Sequence, residues 1–177
     1  NFSGNTIEGS SFDSGVSDGI IAQGFNCILN DNTIVGIRRN SIFHQNSNNL
    51  AAASGGTGSS VISGNQIINH GGFSSSESGI LVSNANNVLG THKGVTISNN
   101  KIEGEGNIGI HVQAVGGAIS NISITGNIID SSDVQGIIVR SYASKPASRI
   151  AITGNIVNVT GGSSPEGIYL QGVDGGT

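Results

Sequence analysis

Glu103 and Asp130 each stand three residues beyond an asparagine, in Asn100-Lys-Ile-Glu103 and Asn127-Ile-Ile-Asp130. If these matching positions lie on neighbouring strands about 4.8 Å apart, the carboxyl groups can approach the ~5–5.5 Å separation of a retaining glycosidase pair. Two carboxylates that close repel each other, which raises one pKa and sets an acid beside a base. The same pair offers hard oxygen ligands to Ca²⁺, and the plainer reading is that Glu103 pairs with Lys101, two residues away. A second set, Gln113, Arg140 and Gln171 with His111 and Tyr169, combines amides, an aromatic ring and a guanidinium, which suits hydrogen bonding to sugar hydroxyls. Arg140 can bind a sugar carboxylate or act as the base of a lyase. The plainer reading is a solvated sheet face, with His111 packed between Leu81 and Ile138. Asp130 and Asp133, around Ser131–Ser132, suit a cation or an ordinary turn. Glu105, between two glycines, reads as a loop charge, and His44, His70 and His92 fall in different loops with no ligand spacing among them. No Gly-x-Ser-x-Gly, Walker or His-Glu-x-x-His pattern occurs.

These residues need strands to position them, and the composition supplies strands. The 177 residues include 29 glycines, two prolines and no Met or Trp, with only 10% charged. There is no collagen-like Gly-X-Y period, and the apolar 35% is dominated by Ile and Val, which suit buried strands. A net charge of −4 with scattered Lys and Arg argues against a nucleic-acid surface. One cysteine, Cys27, excludes an internal disulfide framework and a Cys-type metal cluster. No apolar run reaches the ~18 residues of a membrane span, and no signal peptide opens the chain.

One template recurs: apolar-x-apolar-x-x-Asn-x-apolar. It appears as Val95-Thr-Ile-Ser-Asn-Asn100-Lys-Ile102, Ile122-Ser-Ile-Thr-Gly-Asn127-Ile-Ile129 and Ile150-Ala-Ile-Thr-Gly-Asn155-Ile-Val157, with weaker copies around Asn5 and Asn65. The steps from Asn65 to Asn100, Asn127 and Asn155 are 35, 27 and 28 residues. A second template, Gly-Ile-x-apolar, follows each Asn, at Gly19, Gly79, Gly109, Gly136 and Gly167. Each repeat thus carries three short alternating segments, one ending at the Asn, one beginning just after it and one beginning at Gly-Ile. Three strands per turn make a triangular solenoid, in which each strand hydrogen-bonds to its copies above and below and inward Ile and Val stack in columns. Crossover between parallel strands predicts a right-handed coil. The Asn is expected to supply the left-handed bend between strands one and two and to bond its amide to the next coil's Asn.

The second coil offers two candidates, Asn32 in Cys27-Ile-Leu-Asn-Asp-Asn32-Thr-Ile34 and Asn40 in Val35-Gly-Ile-Arg-Arg-Asn40-Ser-Ile42. Asn32 makes the first coil 27 residues, in line with later coils, and so takes the ladder position. The Asn40 copy then sits in an outward loop, and the coil's third strand falls on Asn49-Leu-Ala-Ala-Ala53.

These motifs resemble the parallel β-helix repeat family along the whole chain, which includes pectate lyases, alginate epimerases and bacteriophage tailspike depolymerases. The style is most similar to a tailspike. The resemblance implies a polysaccharide along an outer face, cleaved by hydrolysis or β-elimination; their shared strand row marks Glu103 and Asp130 for the acid/base or cation role. The outward rows of the third strand mark Gln113, Arg140, Gln171, His111 and Tyr169 as sugar contacts, and the resemblance further implies Ca²⁺ if the enzyme is a lyase, a homotrimer, and an extracellular or virion-tail location. An alginate-type lyase or epimerase, and a non-catalytic shaft or glycan-binding adhesion module, are the alternatives. Residues 1–177 read as one all-β domain of about six coils, an internal fragment without caps. Outward apolar residues, Ile128 and Ile156 on the second strand and Ile21, Leu81, Ile138 and Tyr169 on the third, predict contact with another chain or a covering loop.

Overall fold

The computed structural model describes residues 1–9, 18–24, 26–46, 59–69, 77–84, 91–104, 106–132, 134–142, 145–162 and 165–174. Among them are strands and turns but no helix. The first coil holds β1 (Phe2–Ser3), β2 (Thr6–Glu8) and β3 (Ile20–Gln23); the second β4 (Ile28–Asn30), β5 (Thr33–Val35) and β6 (Ile42–Asn46). The third holds β7 (Ser60–Ser63), β8 (Gln66–Ile68) and β9 (Ser78–Asn84); the fourth β10 (His92–Ser98), β11 (Lys101–Glu103) and β12 (Ile108–Ala114). The fifth holds β13 (Ile119–Thr125), β14 (Ile128–Ser132) and β15 (Gln135–Ser141), and the sixth β16 (Ala147–Thr153), β17 (Ile156–Val159) and β18 (Glu166–Gln171). A last strand, β19 (Val173–Asp174), returns to the first sheet. Every third strand pairs, giving parallel sheets of seven, six and six strands: a parallel β-helix solenoid.

The inward columns follow the two-residue period. Leu29, Ile62, Ile97, Ile124 and Ile152 align on the first sheet, and Ile7, Ile34, Ile67, Ile102, Ile129 and Val157 on the second. On the third, Ile20, Ile42, Ile80, Ile110, Ile137 and Ile168 align. The middle members form one buried cluster. β-branched side chains fit a pleated surface at little rotamer cost, and each buried Ile contributes on the order of 1.5–3 kcal/mol.

The asparagines stack as the repeat predicts. The side-chain Nδ2 of Asn5, Asn32, Asn65, Asn100 and Asn127 each donates to Oδ1 of the next, ending on Asn155, at 2.9 Å throughout. Each of these oxygens also takes the backbone N–H of the Asn before it. The bend itself belongs to a different residue. The left-handed backbone falls on the position preceding each ladder Asn (Gly4, Asp31, Gly64, Asn99, Gly126 and Gly154), with φ between 54° and 68°. Residues that tolerate this region occupy the site, which leaves the ladder Asn free to bond along the axis.

Asn32 holds the second coil's ladder position, but its neighbouring copy is no outward loop. Ile37 and Ile42 are in the core, and Asn40 stacks at a second corner, before the third sheet. There its backbone N–H and Nδ2 donate to Asp18 Oδ1 at 3.1 and 2.8 Å, and its Oδ1 accepts from Ser78 N–H. The third strand is β6, paired on β3 and β9, with Ser41-Ile42 standing where other coils have Gly-Ile. Residues 49–53 lie outside the described residues. Two closely spaced asparagines thus serve two corners of one coil. The exchange leaves a mark: Ser41 Oγ is buried without a hydrogen-bond partner. Removing an unsatisfied hydroxyl relieves its desolvation cost, so Ser41→Ala is expected to raise stability by about 1 kcal/mol in urea titration; a loss would show that the hydroxyl is bonded.

Candidate functional site

On the second sheet the outward row runs Glu8, Val35, Ile68, Glu103, Asp130 and Asn158, with Glu103 and Asp130 in direct register on adjacent coils. Each has a partner other than its neighbour. Glu103 Oε1 lies 2.8 Å from Lys101 Nζ, and Asp130 Oδ1 accepts from Asn158 Nδ2 at 2.9 Å. An exposed pair such as Lys101–Glu103 contributes at most ~1 kcal/mol and gives way readily. Asp133, Glu105 and His70 lie outside the described residues. Among the described residues, no three His, Cys, Asp or Glu side chains converge on a metal position.

The third sheet carries two parallel outward columns. One is polar from end to end: Gln23, Gln45, Ser83, Gln113, Arg140 and Gln171. Gln113 Nε2 donates to Ser83 Oγ at 3.3 Å. The Arg140 guanidinium carbon sits 6.0 Å from the Tyr142 ring centre and 5.8 Å from that of Tyr169, and Nη1 donates to the Tyr142 hydroxyl at 3.3 Å. The ring faces attract the cation and set it between two aromatic platforms. Arg140 Nε is buried with no partner, and Gln171 is exposed. Tyr142 was not singled out from the sequence, although its place two residues after Arg140, just beyond the end of β15, was a usable signal.

The adjacent column runs Ile21, Phe43, Leu81, His111, Ile138 and Tyr169. Its ends differ from its middle: Ile21 is 55% exposed, whereas His111 is 3% and Ile138 0%. The middle is covered within this one chain. His111 therefore does not stand on the exposed face with Arg140 and Gln113. Burial first, and then the nearby Arg140 charge, push its imidazole down to about 4, and neither ring nitrogen has a hydrogen-bond partner. The ring is neutral near pH 7.

His44 and His92 correct the sequence reading most sharply. They lie in strands, β6 and β10, rather than in loops, and their rings meet inside the solenoid with Nε2 atoms 3.2 Å apart. His44 follows Ile42 by two residues and so faces inward with it. A spacing of 48 residues had hidden the contact.

The regular stacking of three parallel sheets defines the protein as a parallel β-helix solenoid. Comparison with known proteins finds no family model, curated protein or solved structure that matches the chain.

Proposed function

We propose that this β-helix recognises a polysaccharide, held lengthwise on the outer face of the third sheet around Gln113, Arg140, Tyr142, Tyr169 and Gln171. The observation that carries the reading is the unbroken polar column from Gln23 to Gln171, flanked at Arg140 by two tyrosines. Amides both donate to and accept from hydroxyl groups. The column repeats every ~4.8 Å along the axis. Ser83 in its middle is buried, Gln113 and Arg140 are partly exposed and Gln171 is exposed, so the groups offered to an extended polymer are those from Gln113 to Gln171. Tyrosine rings offer apolar area to the C–H faces of sugars, and Arg140 offers a fork for a carboxylate.

Cleavage, in the manner of a tailspike depolymerase, is the second reading, and the register of Glu103 with Asp130 favours it. The separate partners of those carboxylates favour a binding module instead. Side-by-side assembly, as in a trimer, draws support from the exposed apolar neighbours Ile128 and Ile156 on the second sheet, 40% and 63% exposed. An extracellular or virion-tail setting follows if the ligand is a capsule.

The test is a panel of neutral and uronate-containing bacterial polysaccharides, scored for binding and for release of reducing ends or unsaturated products. Arg140→Gln is expected to weaken binding of an acidic polymer about tenfold or more, since a charge-assisted hydrogen bond contributes roughly 1.5–3 kcal/mol. Neutral polymers should be little affected. If no polysaccharide binds, the reading fails. If one is cut, Glu103→Gln and Asp130→Asn should each slow cleavage by about 10²–10⁴-fold; parental rates in both would move the chemistry elsewhere.

A further inference from the structure

We propose that the facing imidazoles of His44 and His92 form an acid-sensitive lock inside the solenoid, joining the second coil to the fourth while both rings are neutral. The two residues come from different sheets. His44 sits in the inward column Ala22, His44, Val82, Val112 and Val139 of the third sheet, where every other member is apolar. His92 opens β10 on the first sheet and pairs in register with Ile119. The His92 ring meets His44 edge to face, with centroids 4.9 Å apart and planes at 72°.

The hydrogen bonds assign the protons. A carbonyl only accepts, so the 3.2 Å contact of His44 Nδ1 with the Ala22 oxygen places a proton on that nitrogen. In the neutral ring His44 Nε2 is then bare, and the 3.2 Å contact between the two Nε2 atoms requires the proton to sit on His92. The bond therefore exists with both rings neutral. A proton added to His44 Nε2 would set one N–H against another. One added to His92 would place a charge among apolar side chains. A metal ion between the nitrogens would need further ligands, and no third His, Cys, Asp or Glu joins them among the described residues.

Among the described residues, no carboxylate or cation faces the pair from the strands around it. β3, β9 and β13 carry no titratable side chain, and β12 carries only His111, on the opposite face. Lys93, next to His92, is partly exposed. Burial lowers both imidazoles, and His92 is pushed down to about 4, by burial first and by His44 second, against a hydrogen bond to the Ser83 carbonyl, which favours the charged ring. Because the folded pKa lies below the ordinary 6.5, the unfolded chain binds more protons between these values. The stabilisation is thus complete above about pH 6.5 and is lost as the pH falls toward 4.

The test compares urea unfolding at pH 7.5 and pH 5 for the parent and for His44→Val/His92→Ile, which continues the apolar columns. For His92 alone, the parent's folding constant should fall roughly thirtyfold more than the double variant's. His111 titrates in both proteins and cancels. Each single variant should be weaker than the double at pH 7.5, since it leaves one ring facing an apolar group. Independently of any variant, ¹⁵N-histidine spectra of the parent at pH 7.5 should show His44 as the Nδ1–H tautomer, His92 as the Nε2–H tautomer and a ¹⁵N–¹⁵N coupling across the shared proton. Equal pH dependence in parent and double variant, or two uncoupled rings, would overturn the lock.

Discussion

Replacing Asn100 by alanine is expected to remove about 3–6 kcal/mol of stability, a large part of the ~5–15 kcal/mol that holds a domain folded. Asn100 Oδ1 takes both the backbone N–H and the Nδ2 of Asn65, at 3.0 and 2.9 Å. Its own Nδ2 donates to Asn127 Oδ1 and to the Ile62 carbonyl, each at 2.9 Å. Asn65, Asn100 and Asn127 are all buried, so water cannot replace what alanine deletes. Each buried polar group left without a partner costs roughly 1–3 kcal/mol. Asn155→Ala serves as the comparison. Its Oδ1 also serves the N–H and Nδ2 of buried Asn127, but the side chain is only partly buried and its bonds to the Ile124 and Thr153 carbonyls can pass to solvent, so a smaller loss is expected. Equilibrium urea unfolding measures both, and equal losses would show that burial along the ladder does not set the cost.

Gly109→Ala is expected to destabilise by about 1–3 kcal/mol, the usual range for overpacking. The reason is contact rather than backbone angle, because Gly109 is not among the residues with positive φ. A Cβ there would stand 2.5 Å from Ile129 Cγ2 and 2.7 Å from the Gly136 carbonyl oxygen. Both neighbours are held: Ile129 is packed in the core, and the carbonyl is fixed in the sheet. The same approach recurs at Gly136, whose Cβ would meet the Gly167 carbonyl at 2.7 Å, so Gly136→Ala should behave alike. A urea midpoint for Gly109→Ala within error of the parent's would mean that the coils can part locally without penalty.

Much of the solenoid was legible in the residue order, because each repeat encodes the same local alternation. The Asn template located the ladder, and the Gly-Ile template located the start of the third strand in five coils. The second coil misled because Ser41-Ile42 replaces Gly-Ile and two asparagines serve its two corners. The left-handed residue was misplaced by one position, since Gly, Asp or Asn precedes every ladder Asn and each tolerates that backbone. At the candidate site the register of Glu103 with Asp130, and of Gln113 with Arg140 and Gln171, followed from counting along strands. That Lys101 would hold Glu103 was also readable, from their shared face two residues apart.

The sequence by itself determined which side chains point in, which point out and which share a row, because period-two alternation and parallel stacking of like repeats leave little other choice. Only the tertiary structure decided what surrounds them. His111 and Tyr169 share one outward row, yet His111 is buried and Tyr169 only partly so. Burial along a row is not fixed by the repeat, since like positions in successive coils differ in exposure. The meeting of His44 with His92, on different sheets and two coils apart, likewise has no counterpart in the repeat. Periodic positions are set by local pattern; the environment of a charge or an imidazole is set by the irregular contacts that no pattern records.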